Sequence, residues 1–437
     1  MVFGWFKPKS PIGVWMKAWV ETRMVWLAAQ FGIERLRRAK VILPTEEFFP
    51  GDYRGTPADA QDLLGRVCGY MGVNRRSLRL EIRADEKMPG AAGQYEPGTI
   101  RIAESQLREP IALVATLAHE LAHDVLLGGG HLTRTEPDGE WVTDLLPVYL
   151  GLGLFAANAT VQETHERVGN LSWWSVGKQG YLTSQVYGYA LALFAFMRGE
   201  TRVPSWGECL RPDALESLRD SLHFLDKTDD TLFHPDTIRF CDRPRSVRDS
   251  LRQLRTGSPS ARIAALWELA KAGPDAEESV NDICRCLLDR ERDIRAEAAE
   301  TLGAIGPAAR AAVPALVDAL KDRHDAARQA AARALGRLGD QPDVVVPELS
   351  GLLDDGESDV VQAAAEALTA FGSAAATALP HMLAALKNAL IECDDTDVFM
   401  AALQAIVPDA EQQIRRFFST ADPELQHQMQ AILFDEE

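Results

Sequence analysis

A period of 33 residues runs through the C-terminal part of the chain. It is marked by glycines at Gly273, Gly306, Gly339 and Gly372. Leucine stands four residues before each of these glycines, alanine stands eight before, and proline follows three of them at Pro314, Pro347 and Pro380. Fixed small, large and helix-breaking positions at a constant period predict a solenoid, because one such unit buries its apolar face only by stacking on its neighbours.

Each repeat has the pattern of two helices. The stretch 293–306 has apolar residues at helical spacing and ends on a glycine suited to a left-handed cap. The stretch 307–320 starts with proline, which is tolerated in the first helical turn. Residues 395–410 keep a helical pattern but lose the register, which is typical of a capping unit.

The sequence of these units resembles the short HEAT repeats of the bacterial phycobilisome-lyase type, through Asp293-Ile-Arg295 and the following AAETLGAIG. The resemblance covers residues 245–407 approximately. It implies an α-α solenoid. Because solenoids offer long curved surfaces, the repeats are expected to recognise a protein partner or present the substrate. Ankyrin repeats share the spacing, but their hairpin turn and TPLH-like start are absent.

The region upstream of the repeats has a different character. A helix is predicted over 57–72, strands over 78–84 and 99–103, a turn over 90–98, a long helix from Pro110 to Leu127, and further helices over 140–200. The chain therefore divides into a segment 1–40, a domain 41–243 and the solenoid 244–437. The fold class predicted is mainly α, with a small sheet in the middle domain.

Residues 1–40 are distinctive because they carry eight basic and two acidic side chains and four of the nine tryptophans, Trp5, Trp15, Trp19 and Trp26. A helix is predicted from Pro11 to Arg38. Such a helix either docks its tryptophans on the rest of the protein or contacts a membrane surface weakly.

Composition limits the partners and the compartment. A net charge of −18 argues against nucleic acid, which needs clustered basic residues. The six cysteines are scattered without a CxxC pair, which is typical of reduced thiols in a cytoplasmic protein. The sequence shows no secretory signal and no apolar run of about 18 residues, so no membrane span is expected.

The stretch 115–131, ATLAHELAHDVLLGGGH, contains an HExxH pattern on the long helix. His119 and His123 are four residues apart, so both imidazoles lie on one helical face and can bind a single zinc ion. Glu120 stands beside the first histidine without being a ligand. A carboxylate there can act as general base on a zinc-activated water.

A third protein ligand is expected, which leaves one position open for water. His131 does not fit the HExxHxxGxxH spacing. Glu140 and Asp144 are four residues apart on a predicted helix, which suits one ligand carboxylate and one acceptor for a histidine N–H. Glu140 is the preferred ligand and Asp144 the preferred acceptor; the rival ligands are Glu136, Asp138 and Asp144.

Residues 95–155 resemble the gluzincin group of HExxH metallopeptidases, at His119, Glu120, His123, Glu140 and Asp144. The resemblance implies a zincin-like α+β domain with an extended peptide laid beside an edge strand, for which TIRIA (99–103) is the natural choice. It also implies a residue that stabilises the oxyanion. Tyr181 is preferred, and the alternatives are Tyr149, His165, Tyr187 and Tyr189.

These observations predict a cytoplasmic zinc-dependent peptidase that binds one zinc per chain, with protein or peptide substrates and a HEAT-repeat scaffold behind the catalytic domain. The alternative is a non-catalytic or latent zinc-binding scaffold that acts through its repeats. The metal-binding pattern is the same in both cases.

Overall fold

The computed structural model describes residues 8–49, 53–168, 171–178, 180–228, 230–233, 246–392, 395–419, 421 and 423–434. For residues 161–178 and 431–434 only the backbone is described. The chain forms two compact units, Met1–Pro244 and Arg245–Glu437.

The first unit combines eight helices and five strands in its described part. The helices are α1 (Val14–Phe31), α2 (Ile33–Arg38), α3 (Pro57–Met71), α4 (Pro110–His123), α5 (Gly139–Tyr149), α6 (Gly153–Ala159), α7 (Ser184–Met197) and α8 (Pro212–Thr228). The strands are β1 (Arg79–Arg83), β2 (Gly93–Glu96), β3 (Thr99–Ala103), β4 (Val161–Val168) and β5 (Leu171–Lys178).

The three-stranded sheet has the order β1–β3–β2, with β1 parallel and β2 antiparallel to β3. TIRIA forms β3 and is therefore the central strand, so its prediction as the edge strand is wrong. Ile100 and Ile102 are fully buried, which explains the alternating pattern of this strand. Strand β2 lies on the other side of β3 from β1 and is an edge strand of this sheet. The sequence predicts only a turn over the residues of β2.

Helix α4 is the core helix of this unit. It begins at Pro110, where the missing N–H is harmless, and continues after His123 into a π-helical turn, Asp124–Gly128. Within the described residues, Pro110–Gly128 is the one stretch long and apolar enough to span a membrane. Since 61% of this stretch is buried inside the fold, its position in the protein core explains the apolar composition equally well.

Helix α1 packs on α5 and α7. Its Trp19 is 4% exposed and its Glu21 is fully buried. The Glu21 carboxylate accepts hydrogen bonds from the Tyr189 hydroxyl at 2.6 Å and from the Leu232 backbone N–H at 2.9 Å. These contacts support the interpretation that the tryptophan-rich segment docks on the protein.

Strands β4 and β5 form an antiparallel hairpin, with Val161 paired to Lys178 and Val168 to Leu171. Helices were predicted over 140–200, and this prediction is wrong for residues 161–168 and 171–178. The β-branched residues Val161, Thr164 and Val168 favour a strand by composition, but their spacing of three and four residues is that of a helix.

The second unit consists of helices throughout its described part. They are α9 (Val247–Thr256), α10 (Pro259–Ala272), α11 (Val280–Cys286), α12 (Arg292–Ile305), α13 (Val313–Ala319), α14 (Asp325–Leu338), α15 (Pro342–Leu352), α16 (Ser358–Phe371), α17 (Leu379–Glu392), α18 (Asp397–Ile406), α19 (Ala410–Phe418) and α20 (Pro423–Phe434). The 3₁₀ turns Gly273–Ser279, Gly306–Ala312 and Gly372–Ala378 precede α11, α13 and α17.

The repeat columns have the roles that the period predicts. The alanine and leucine columns are fully buried, at Ala265, Ala298, Ala331, Ala364, Leu269, Leu302, Leu335 and Leu368. All four column glycines have positive φ, between 53° and 70°. Only Gly339 has the left-handed helical ψ, because a 3₁₀ turn follows each of the other three.

Two further columns of the repeat, one of arginines and one of aspartates, form a ladder of ion pairs that was not predicted from the sequence. Arg262, Arg295 and Arg328 each pair with the aspartate 27 residues later, at 2.6, 2.6 and 2.8 Å. The aspartates are Asp289, Asp322 and Asp355. Both columns keep the period of 33, so the signal was present in the sequence.

Candidate metal centre

Helices α4 and α5 bring three potential metal ligands together. The Nε2 atoms of His119 and His123 each lie 3.3 Å from Oε2 of Glu140. One donor atom from each of the three residues lies within 4.8 Å of the other two. Among the described residues, this is the one group of three or more His, Cys, Asp or Glu side chains with such spacing.

The spacing of these atoms fits a tetrahedral zinc ion. Zinc–nitrogen bonds of about 2.0–2.1 Å and zinc–oxygen bonds of about 2.0–2.2 Å place neighbouring ligand atoms roughly 3.3–3.5 Å apart. The two nitrogen–oxygen distances of 3.3 Å lie in this range. Two imidazoles and one carboxylate are also the donor set of hydrolytic zinc sites that keep an open position.

Asp144 fixes the orientation of His119. Its Oδ1 lies 2.8 Å from His119 Nδ1, and its side chain is 5% exposed. Its Oδ2 accepts hydrogen bonds from the backbone N–H groups of Tyr181 at 2.7 Å and Leu182 at 3.2 Å. Since Nδ1 donates to Asp144, Nε2, which faces Glu140, is the nitrogen available to bind a metal ion.

The electrostatics of the cluster favour a cation. Burial lowers the pKa of His119, but the contacts with Asp144 and Glu140 outweigh it and raise this pKa to about 10. The contacts of the Glu140 carboxylate with His119 and His123 hold the pKa of Glu140 far below its ordinary value. The cluster therefore stabilises positive charge between its carboxylates, whether a proton or a metal ion supplies it.

Glu120 lies beside the ligands but is held differently. It is 5% exposed, and burial raises the pKa of its carboxyl group. Strand β2 passes close to it: a Cβ atom at Gly93 would collide with Glu120 Oε1 and Thr116 Cγ2. The glycine thus lets the outer strand of the sheet approach the carboxylate that the sequence analysis assigned as general base.

Two tyrosines flank the two histidines. The Tyr181 ring is stacked on His119 at a centroid distance of 5.9 Å, and this residue is 51% exposed. The Tyr95 ring is stacked on His123 at 6.0 Å, and its hydroxyl donates to Asp124 at 3.0 Å. Tyr95 was not among the predicted site residues, because no strand was predicted at β2.

The other tyrosines considered for the oxyanion are engaged elsewhere. Tyr149 is buried and donates to the carbonyl of Gly32 at 2.8 Å, and Tyr189 donates to Glu21. Tyr187 is buried against Asp144. The side chain of His165 lies outside the described part of the structure.

The rivals of Glu140 as third ligand are placed differently. Asp138 accepts hydrogen bonds from Trp19 and Arg23. Nδ1 of His131 lies 3.0 Å from Oε1 of Gln30. Glu136 lines the cleft beside the cluster without joining it.

Two neighbouring cavities of about 400 Å³ each meet at the cluster. They share Gly93, His119, Glu120 and Tyr181. The first, here called the metal-side cleft, is lined by all three potential ligands and by Tyr95. The second, here called the alanine chamber, lies on the other side of Glu120 and is lined by neither His123 nor Glu140.

The family match found by comparison with known proteins lies within the second unit. The family model for HEAT repeats matches residues 248–336 and 313–407 in two overlapping segments. No curated protein matches the chain. The family match supports the repeat scaffold.

Several solved structures are similar to part of the chain. The complex of CpcE and CpcF of phycocyanin lyase from Nostoc sp. PCC7120 is 25% identical, with 42% of this chain and 73% of that chain covered and a TM-score of 0.32. A designed armadillo repeat protein in complex with the peptide (KR)4 is 18% identical, with 43% and 98% covered and a TM-score of 0.34. An engineered protein is 21% identical, with 43% and 94% covered and a TM-score of 0.34.

Proposed function

We propose that the chain is a zinc-dependent peptidase joined to its HEAT-repeat scaffold. The observation that carries this proposal is the position of Glu140 Oε2, at 3.3 Å from Nε2 of both His119 and His123. The comparisons support the scaffold part better than the enzymatic part, since the family match is confined to residues 248–407.

In this proposal the three residues hold one zinc ion per chain, and Asp144 keeps the His119 ring in the binding orientation. A bound zinc ion supplies Lewis acidity, which lowers the pKa of water and polarises a carbonyl group. Glu120 accepts the proton of the attacking water and delivers it to the departing amine nitrogen. Its burial beside the cluster keeps that proton transfer away from bulk water.

Strand β2 and Tyr181 support a peptide as the substrate. The side of β2 that does not pair with β3 can add an extended chain through backbone hydrogen bonds. Gly93 and Tyr95 of this strand line the metal-side cleft, so such a chain would run past the ligands. Tyr181 lines the same cleft, and its hydroxyl group is our proposed donor to the carbonyl oxygen during hydrolysis.

Zinc content is the first test. Purified protein should contain close to one zinc per chain, and the double variant His119→Ala/His123→Ala should lose it. His131→Ala is the matched control, because His131 follows the same helix but contacts Gln30. Folded wild-type protein that binds no zinc would refute the proposal.

Turnover is the second test. Glu120→Gln should retain zinc and abolish cleavage in a peptide-library screen, since the amide cannot accept the proton of water. Cleavage that survives in Glu120→Gln would remove Glu120 from the mechanism.

The second candidate function is a zinc-binding scaffold without turnover, favoured by the HEAT-repeat match over residues 248–407. Solenoids offer long curved surfaces for protein partners. A screen that finds zinc bound but no Glu120-dependent cleavage would favour this function over the peptidase.

A further inference from the structure

Another cavity of the first unit, of about 470 Å³, shares no lining residue with the two cavities at the metal centre. It is here called the arginine pocket and is lined by Glu34, Arg35, Arg38, Ala39, Lys40, Gly69, Tyr70 and Leu150. Leu150 directly follows α5, whose first turn contains Glu140. The helix between these two residues spans about 15 Å, so the arginine pocket is separate from the metal centre.

The side chains that line the arginine pocket carry an excess of two positive charges. Glu34 is the one acidic residue among them, and it is already shared by Arg37 Nη1 at 3.1 Å and Arg38 Nε at 3.6 Å. The Lys40 ammonium pairs with no carboxylate in the part of the chain that the structure describes. Positive charge in the pocket is therefore left without a matching anion from these residues.

The end of helix α2 does not account for these cations. Basic side chains often lie near a helix C-terminus because they offset the negative end of the helix dipole. At α2 that role is filled by Arg198, whose Nη1 donates to the carbonyls of Arg37 and Ala39 at 3.1 and 2.7 Å. The side chains of Arg38 and Lys40 are exposed and are not needed for this contact.

Arg35 is the fixed cation of the pocket. Its Nη2 donates to the Met71 carbonyl at 2.6 Å, and its guanidinium carbon lies 5.7 Å from the centre of the Phe31 ring. A guanidinium has several N–H groups, so this one hydrogen bond leaves others to donate to a ligand. Because the side chain is already held, its planar fork is oriented before two oxygens of one anion arrive.

The wall that α3 contributes leaves room above these cations. Gly69 lies in the last turn of α3, and a Cβ atom there would meet no atom within 4 Å. No side chain therefore enters the pocket at this position. Tyr70, the next residue, is 39% exposed and adds an aromatic ring to the lining. The space is larger than a single inorganic ion needs.

We propose that the arginine pocket binds a phosphate monoester, whose oxygens are held by Arg35, Arg38 and Lys40. A phosphate monoester carries a charge of about −1.5 to −2 near pH 7, which matches the excess positive charge of the lining. A single carboxylate would neutralise only part of it. Tyr70 offers an aromatic surface to the group that bears the phosphate. This site is independent of the proposed peptidase activity.

The first test measures binding of phenyl phosphate, inorganic phosphate and benzoate to the full-length protein by calorimetry at low ionic strength. Phenyl phosphate should bind tightest, and benzoate about tenfold more weakly, because a carboxylate has less charge and one oxygen fewer to be held. Added salt should weaken the binding, since the cations are exposed. Benzoate that binds as tightly as phenyl phosphate would refute a phosphate site.

The metal centre is a competing location for phosphate, so the titrations are repeated after a chelator has removed any bound metal. The arginine pocket predicts unchanged affinity. Phosphate binding that disappears with the metal would overturn the proposal, because it would place the anion at the metal centre.

The double variant Arg38→Gln/Lys40→Gln should weaken phenyl phosphate binding roughly ten- to a hundredfold, because it removes two charge-assisted contacts. Both positions are exposed, so the fold should be retained. Lys87→Gln/Arg108→Gln is the matched control, since it removes the same charge from exposed residues that line none of the three cavities. Equal weakening in the two double variants would reduce the effect to net charge and exclude a site.

The phosphate belongs to a soluble molecule or to a lipid headgroup, and sedimentation with vesicles distinguishes these sources. The vesicles are phosphatidylcholine with either phosphatidic acid, a monoester, or phosphatidylglycerol, a diester. Binding only with phosphatidic acid, lost in Arg38→Gln/Lys40→Gln, assigns the site to a headgroup. Phenyl phosphate binding without vesicle binding assigns it to a soluble molecule. Equal binding to both kinds of vesicle, or folded protein that binds no phosphate probe, contradicts the proposal.

Discussion

Asp144 orients His119, with 2.8 Å between Oδ1 of the aspartate and Nδ1 of the histidine, and so orients one ligand of the proposed metal centre. The aspartate is itself held by two backbone N–H groups that follow Gly180. Gly180 has a φ of 81°, and a Cβ atom there would lie 3.2 Å from Asp144 Oδ2. The orientation of a ligand on α4 thus depends on a turn far along the chain.

Replacing Asp144 with asparagine should weaken zinc binding about 10- to 100-fold, because the amide cannot accept hydrogen bonds from both the histidine and the backbone with two oxygens. Chelator competition measures the change. Asp124→Asn is the control, since Asp124 accepts from Tyr95 and does not contact a ligand histidine nitrogen. Equal zinc affinity in Asp144→Asn and wild type would contradict the prediction.

Gly93→Ala should destabilise the first unit by about 1–3 kcal/mol, because the new methyl group collides with Glu120 and Thr116 in a packed interface. Urea unfolding measures the free energy. Gly65→Ala is the matched control: a Cβ there meets no atom within 4 Å, and alanine in the middle of α3 should stabilise it by about 0.5–1 kcal/mol. A neutral effect of Gly93→Ala would mean that β2 does not approach α4 so closely.

Removing one partner of the repeat ladder should destabilise the second unit. Arg295→Ala leaves Asp322 largely buried without its partner, with an expected cost of about 3 kcal/mol. Hydrogen exchange in α12 and α14 should report the loss. Lys271→Ala removes a more exposed pair with Glu268 and should cost about 0.5 kcal/mol or less. Similar exchange in the two variants would exclude a stabilising role for the ladder.

The ladder should also make stability depend on acid pH. Arg295 holds the pKa of Asp322 below its ordinary value of 3.8. The stabilisation is therefore complete above pH 3.8 and is lost as pH falls through the lower pKa of the folded state. The difference in unfolding free energy between wild type and Arg295→Ala should be constant from pH 7 to 5 and shrink below pH 4. A difference that persists at pH 2 would show that packing, not charge, causes it.

The proximity of the two proposed ligands on α4 was predictable because their geometry is local. Two histidines four residues apart on one helix face the same side wherever that helix packs. Glu140 was predictable only through resemblance and the paired spacing with Asp144. Its distance from the histidines depends on how α5 packs against α4, which no local pattern specifies.

The order of the strands in the sheet, in contrast, could not be predicted from a local pattern. The alternation of residues 99–103 predicts a strand with a buried face, and Ile100 and Ile102 are buried. It does not say which neighbours that strand has, so the edge assignment was wrong. Strand β2 was predicted as part of a turn because Gly90, Gly93, Pro97 and Gly98 lie in and around it, and it forms because β3 offers it a partner.

The sequence by itself determined the solenoid, because each repeat contacts copies of its own pattern and the same columns therefore meet at every step. It also determined the two histidines and the adjacent glutamate, because one helical turn sets their spacing. Only the tertiary structure decided the surroundings of that motif. These are the strand beside Glu120, the contacts of α1 with Asp138 and Trp141 on both sides of Glu140, and the chamber lined by alanines. These depend on contacts between residues far apart in the chain, whose packing follows from the whole fold and not from any local period.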